Sequence, residues 1–163
     1  LVVHEIAEPL PSFQNTKELL CVFRDALRAH RIAHDDAGVL HGDISSANIM
    51  IVKEGCGLLI DRDLSNLTPS TVIRRTFLAA RLLRSEGPLP PIPDRIDDQE
   101  SFWHVLLWTV IQSCEHEYPE ALIIRKLQSM FDRHFINSNG ENTKSAELQS
   151  TDTVKRIKVT CKP

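Results

Sequence analysis

The run Phe102-Trp103-His104-Val105-Leu106-Leu107-Trp108-Thr109-Val110-Ile111 constrains the fold of this chain more than any other stretch. Asp97-Asp98-Gln99-Glu100-Ser101 reads as an acidic helix start, and the helix that follows is apolar almost all round. A helix without a polar face belongs in the middle of a core, with Trp103 and Trp108 among its packing residues. The run is too short to cross a bilayer and is interrupted by His104 and Thr109. With 163 residues, 42% of them hydrophobic and 25% charged, the chain has material for one core, not two.

The other elements arrange themselves around that helix. Asn15-Thr16-Lys17-Glu18 has the form of a capping box, with Asn15 as the cap and Glu18 reaching back. Leu19, Phe23, Ala26, Leu27 and His30 then follow helical spacing for roughly four turns, and Gly38 after Asp35-Asp36-Ala37 supplies the left-handed residue that closes a helix. Ile49-Met50-Ile51-Val52 and Leu58-Leu59-Ile60 are continuous apolar runs on either side of Lys53-Glu54-Gly55-Cys56-Gly57, which predicts a short hairpin buried on both faces. Gly87 to Pro93, rich in proline, can be neither helix nor central strand. Pro119 predicts a first-turn proline of a last helix, with Ile123, Leu127, Met130, Phe131 and His134 in register to about Phe135. Residues 137–163 are polar and are expected to form a poorly ordered tail, its Lys155 to Lys158 charges solvated.

Charge and cysteine usage exclude several partners. A formal net charge of −3 with scattered Lys and Arg leaves no basic stripe for nucleic acid or an anionic membrane. Cysteines at 21, 56, 114 and 161 form no Cys-x-x-Cys and no dense framework, as expected of reduced thiols in an intracellular protein, cytoplasmic or nuclear. Leu1 in place of Met, on the strand-like Leu1-Val2-Val3, suggests a piece of something longer. His30 and His34 are one helical turn apart, but Arg31 stands where a zinc protease needs its Glu, so a structural or surface role is expected for both.

The chemistry-bearing residues lie at strand ends and in loops. His41-Gly42-Asp43-Ile44-Ser45-Ser46-Ala47-Asn48 precedes the hairpin and Leu59-Ile60-Asp61-Arg62-Asp63 follows it. Phosphoryl transfer from a nucleotide asks little covalent work of a protein. It needs a carboxylate to orient the attacking hydroxyl, and a second carboxylate plus an amide oxygen to hold Mg²⁺ against the phosphates. Asp43, Asp61 and Asn48 are those groups. Ser45 and Ser46 lack the Gly-x-Ser-x-Gly setting of a hydrolase nucleophile.

Three stretches in order then carry a resemblance: Val39-Leu40-His41-Gly42-Asp43-Ile44-Ser45-Ser46-Ala47-Asn48-Ile49-Met50, Gly57 to Ser65, and Asp97 to Trp108. The chain resembles the C-terminal lobe of eukaryotic protein kinases, and more narrowly the fungal-type protein kinase family. The resemblance implies a mainly α fold with a short β-hairpin over residues 1–136, with residues 1–8 as the end of the hinge, 41–48 as the catalytic loop and 61–83 as the activation segment. It implies ATP-dependent transfer to Ser or Thr of a protein substrate, with Asp43 as catalytic base and Asn48 and Asp61 on Mg²⁺. His41 and Asp98 would support the loop, Asp98 by bracing its backbone, although Asp98 also reads as a plain helix cap. The helix from Asn15 to His34 would back the loop.

The departures from that pattern are specific. Gly42 replaces an arginine that receives a phosphorylated activation loop, Ser45 a lysine directed at the γ-phosphate, Arg62 the phenylalanine of Asp-Phe-Gly, and Asp63 its glycine. Arg81 lies near where a glutamate would anchor the activation segment. No stretch supplies a Gly-rich loop, a strand lysine or its helix glutamate, so the amino-terminal lobe is expected to be missing and the chain alone inactive. Two other readings stay open: a kinase-like module that binds protein partners without catalysis, and a small-molecule kinase of the aminoglycoside or choline type, whose loops also use His-Gly-Asp.

Overall fold

A computed structural model describes residues 6–61, 77, 79, 82, 92–114 and 119–131. Over these residues the elements, in chain order, are β1 (Glu8–Pro9), α1 (Thr16–Ala37), β2 (Ile49–Val52), β3 (Cys56–Leu59), α2 (Arg95–Ser113) and α3 (Glu120–Phe131), with single 3-10 turns at Leu10–Ser12 and Lys53–Gly55. The fold is mainly helical with a small antiparallel sheet, strand order β1-β2-β3. None of the helices among the described residues is long and apolar enough to cross a membrane.

α1 is a helix of 22 residues, about six turns, because both its ends are chemically fixed. Asn15 Oδ1 accepts from Glu18 N at 2.9 Å, while the Glu18 carboxylate reaches one residue past the cap and accepts from Gln14 N at 2.5 Å. At the other end Gly38 has φ 64°, and Gly38 N and Val39 N donate to His34 O and Ala33 O, satisfying two terminal carbonyls. Leu19, Val22, Phe23, Ala26 and His30 form its buried face. Leu27, expected on that face, is 40% exposed.

The sheet packs on α1 by one face only. Ile49, Ile51 and Leu59 are buried, whereas Met50, Val52 and Leu58 are half-buried and Cys56 is exposed, so the hairpin is not buried on both faces as its apolar runs predicted. Continuous hydrophobicity there reflects β-propensity as well as burial. Pairing runs Ile49↔Leu59 through Val52↔Cys56, one to two residues earlier on the second strand than the sequence reading placed it. β1 makes the sheet three-stranded rather than a hairpin, pairing Glu8↔Ile51 and Pro9↔Met50 at an edge, where a proline is tolerated.

α2 begins two residues before the expected start. Asp94 is its cap and forms a reciprocal capping box with Asp97. Val105 and Thr109 are fully buried, so the helix does run through the core, yet Trp103 is 44% and Ile96 67% exposed. The expectation of an all-round buried helix with Trp103 in the core therefore fails along one side. Pro119 sits just outside α3 and accepts from Leu122 N and Ile123 N. Ile123 and Phe131 of α3 join the core with Phe77, whose ring meets Trp108 edge-on at 5.8 Å. Leu1-Val2-Val3, the proline-rich stretch before Ile92, most of residues 61–83, the segment after Phe131 and the polar tail lie outside the described residues.

Candidate functional site

The segment from His41 to Asn48 joins the end of α1 to β2 and is held from three directions. Ile44, 3% exposed, anchors it in the core. Asn48 N donates to Ser45 O at 3.1 Å and closes the turn. Gly42 has φ 75°, a conformation that favours glycine, and an added Cβ there would meet nothing within 4 Å. Glycine at this position thus has a backbone reason.

A buried carboxylate from α2 grips the start of this segment. Asp98 Oδ2 accepts from His41 N at 2.8 Å, Asp98 Oδ1 accepts from Gly42 N at 3.1 Å, and His30 Nε2 donates to Asp98 Oδ2 at 2.8 Å. The ordinary helix cap is Asp94, which accepts from Ile96 N and Asp97 N. Asp98 spends its oxygens on the loop because three N–H donors converge on it; a buried carboxylate needs such partners in a medium of low polarity. His30 and His34 do not form a pair: His30 is engaged with Asp98, and His34 Nδ1 lies 3.3 Å from Asp35. Among the described residues no three His, Cys, Asp or Glu side chains are grouped to hold a metal ion.

His41, itself buried, links the segment to the end of the hairpin. Its Nε2 donates to Ile60 O at 2.9 Å and its Nδ1 accepts from Asp43 N at 3.3 Å, so the partners select the tautomer with the proton on Nε2. Ile60 N in turn donates to Asn48 O at 2.9 Å. Both backbone groups of Ile60 are therefore tied to the segment, and Asp61 leaves from that point with φ 65° and an exposed side chain. A non-glycine residue with positive φ is uncommon, and Asp is among the few that tolerate it.

Asn48 Nδ2 donates to Asp43 O at 2.8 Å and to Asp43 Oδ2 at 3.2 Å. This leaves Asp43 Oδ1 buried with no hydrogen-bond partner among the described residues, and Ser45 Oγ is in the same state. An unpaired buried carboxylate oxygen is costly, and such exceptions call for an explanation such as a catalytic role. The network brings together His41, Asp43, Asn48 and Asp98. Asp61 is joined to it only through the backbone of Ile60, and no hydrogen bond or ion pair among the described residues links its carboxylate to Asp43 or Asn48. Arg62, Asp63 and Arg81 lie outside the described residues.

Two contributors were not read from the sequence. His30 has the structural role expected of it, buried at 3% exposure, but its partner Asp98 was not foreseen; a histidine on an apolar helix face beside an acid on another buried helix was the available signal. Ile60 acts through its backbone alone, for which side-chain chemistry gives no sign.

A comparison with curated proteins finds no match. The description of the family model that does match is fungal protein kinase, and the match runs over residues 1–110, taking in the loop, the hairpin and most of α2. The chain belongs to the fungal protein kinase family.

Proposed function

We propose that this chain carries the phosphoacceptor side of an ATP-dependent protein Ser/Thr kinase, in the manner of a kinase C-terminal lobe. The observation that carries the reading is the Asp43 carboxylate: Oδ2 is held by the Asn48 amide, and the buried Oδ1 lacks a donor among the described residues. A substrate hydroxyl supplies that donor. In the reaction Asp43 Oδ1 orients the hydroxyl and takes its proton, while Asn48 Nδ2 fixes the carboxylate plane. His41, Asp98 and His30 are positioning residues that hold the backbone carrying Asp43.

Asn48 Oδ1 and the Asp61 carboxylate fit Mg²⁺, because both are hard oxygen donors without a hydrogen bond among the described residues. When bound with ATP, the metal neutralises charge on the transferring phosphoryl group. Ser45, in place of a lysine, adds no positive charge to that transition state.

The test is phosphotransfer to a Ser/Thr peptide library. The 163 residues alone, without a Gly-rich loop or strand lysine, are expected to show no Mg²⁺·ATP-dependent transfer. Joined to a lobe that supplies both, they are expected to phosphorylate peptide, and Asp43→Ala lowers the rate by about 10²- to 10⁴-fold. Full activity of Asp43→Ala would overturn the assignment of the base. Phosphorylation of choline or an aminoglycoside but of no peptide would favour the small-molecule alternative, against which the Asp97 to Trp108 helix speaks. Gly42 and Arg62 favour a second reading, a non-catalytic module that binds a protein partner; continued inactivity with a complete opposing lobe would support it.

A further inference from the structure

A groove of about 590 Å³ is lined by side chains of α1 and α2. Its walls expose large apolar side chains: Leu20 (55%) and Leu27 (40%) from α1, and Trp103 (44%) from α2. Arg24, Arg28 and Arg31 also line it, at successive spacings of four and three residues, so all three fall along one face of α1. Arg24 is paired with Asp25 at 2.8 Å. Arg28 and Arg31 make no ion pair among the described residues. Among the described residues no Asp or Glu lines the groove, on a chain whose net charge is −3.

We propose that this groove docks an acidic amphipathic helix of a partner protein, with apolar anchors seated between Leu20, Leu27 and Trp103 and carboxylates set along Arg28 and Arg31. Charge complementarity selects the acid: Arg24 is answered by Asp25, but Arg28 and Arg31 make no ion pair among the described residues, and a wall with that excess of positive charge favours carboxylates and repels a basic segment. The walls select the helix. Both are helices whose backbone groups are already bonded internally, so an extended peptide would find no main-chain partners, whereas a helix binds by side chains at i, i+3 or i+4, and i+7. A second copy of this chain is a poor occupant, because two-fold self-association would set arginines against arginines. The proposal concerns binding alone and does not rest on phosphotransfer.

The experiment titrates the full chain into a fluorescein-labelled synthetic helical peptide with Leu at i, i+3 and i+7 and Glu on its flanks, and into the counterpart with every Glu replaced by Lys. The Glu peptide is expected to bind saturably, at least about tenfold tighter than the Lys peptide, to weaken with rising salt and to shift tryptophan emission. Arg28→Glu combined with Arg31→Glu is expected to invert the preference, and Trp103→Ala to lower affinity about tenfold or more with unchanged circular dichroism. Equal binding of the two peptides, preference for the Lys peptide, or no saturable binding would overturn the proposal. The peptide comparison on the unaltered chain keeps the test valid even if a variant misfolds. Self-association through Trp103 that excludes the Glu peptide would also overturn it, as would binding that appears only after removal of residues 137–163.

Discussion

At the scale of one residue, the buried Asp98 carboxylate is held by three N–H donors, from His30, His41 and Gly42. Truncation leaves all three donors unpaired in the interior, and each such loss costs about 1–3 kcal/mol. Asp98→Ala is therefore expected to destabilise the fold by about 3 kcal/mol or more in a urea titration, and Asp98→Asn by less. Asp94→Ala, which removes the helix cap, is expected to cost about 1 kcal/mol. Equal losses at the two positions would reject the separation of bracing from capping. The sequence held both readings of Asp98 open because an acid at a helix start can cap or brace, and only the third dimension shows that the cap is Asp94, upstream of the expected start. His41, Asp43 and Asn48 were legible because their spacing falls within one loop, whereas His30 lies 68 residues from Asp98 and no local pattern joins them.

Between elements, the contact of α1 with β3 sets how closely the hairpin approaches the helix. A Cβ on Gly57 would lie 2.1 Å from Val22 O and 2.8 Å from Val22 C, and helix backbone cannot step aside. Gly57→Ala is expected to lift β3 from α1 and cost about 3 kcal/mol or more, read from the shift in the unfolding midpoint at constant slope. The same seam carries Asp25. Burial raises its carboxyl, but hydrogen bonds from Arg24 and Gly57 N outweigh burial and leave it below the ordinary carboxylate value. A carboxylate lowered in the folded state contributes stability that is complete above its unfolded pKa of about 3.8 and is lost as pH falls through the folded value. Asp25→Asn is accordingly expected to flatten the fall of stability measured from about pH 5 to about pH 3. Partial exposure of the pair keeps the effect modest. Helix ends were readable here because caps are local chemistry, as Asn15 and Gly38 illustrate. β1 was not, since its two residues offer no period and its pairing partner lies 41 or more positions away.

For the whole molecule, the apolar run of α2 correctly announced a central helix but overstated its burial. Hydrophobicity marks what water disfavours; whether a neighbour arrives to cover each side chain depends on the rest of the fold, and Trp103 faces the groove instead. The family match over residues 1–110 coincides with the part of the chain that α1, the sheet and most of α2 build. Within that frame the grip of Asp98 on His41 N and Gly42 N has a consequence in time. These two amides lie in a connecting loop, yet they donate to a carboxylate 56 or 57 residues away on the central helix, so local opening of the loop cannot release them while α2 stays docked. In deuterium-exchange mass spectrometry or NMR, His41 and Gly42 should exchange as slowly as the amides of β2, and Asp98→Ala should return them to the rates of an ordinary exposed loop. Fast exchange at both in the unaltered chain would mean that the loop opens independently of the core. Slow exchange would mean that the candidate catalytic segment keeps the lifetime of the core itself and is dismantled only when the molecule unfolds.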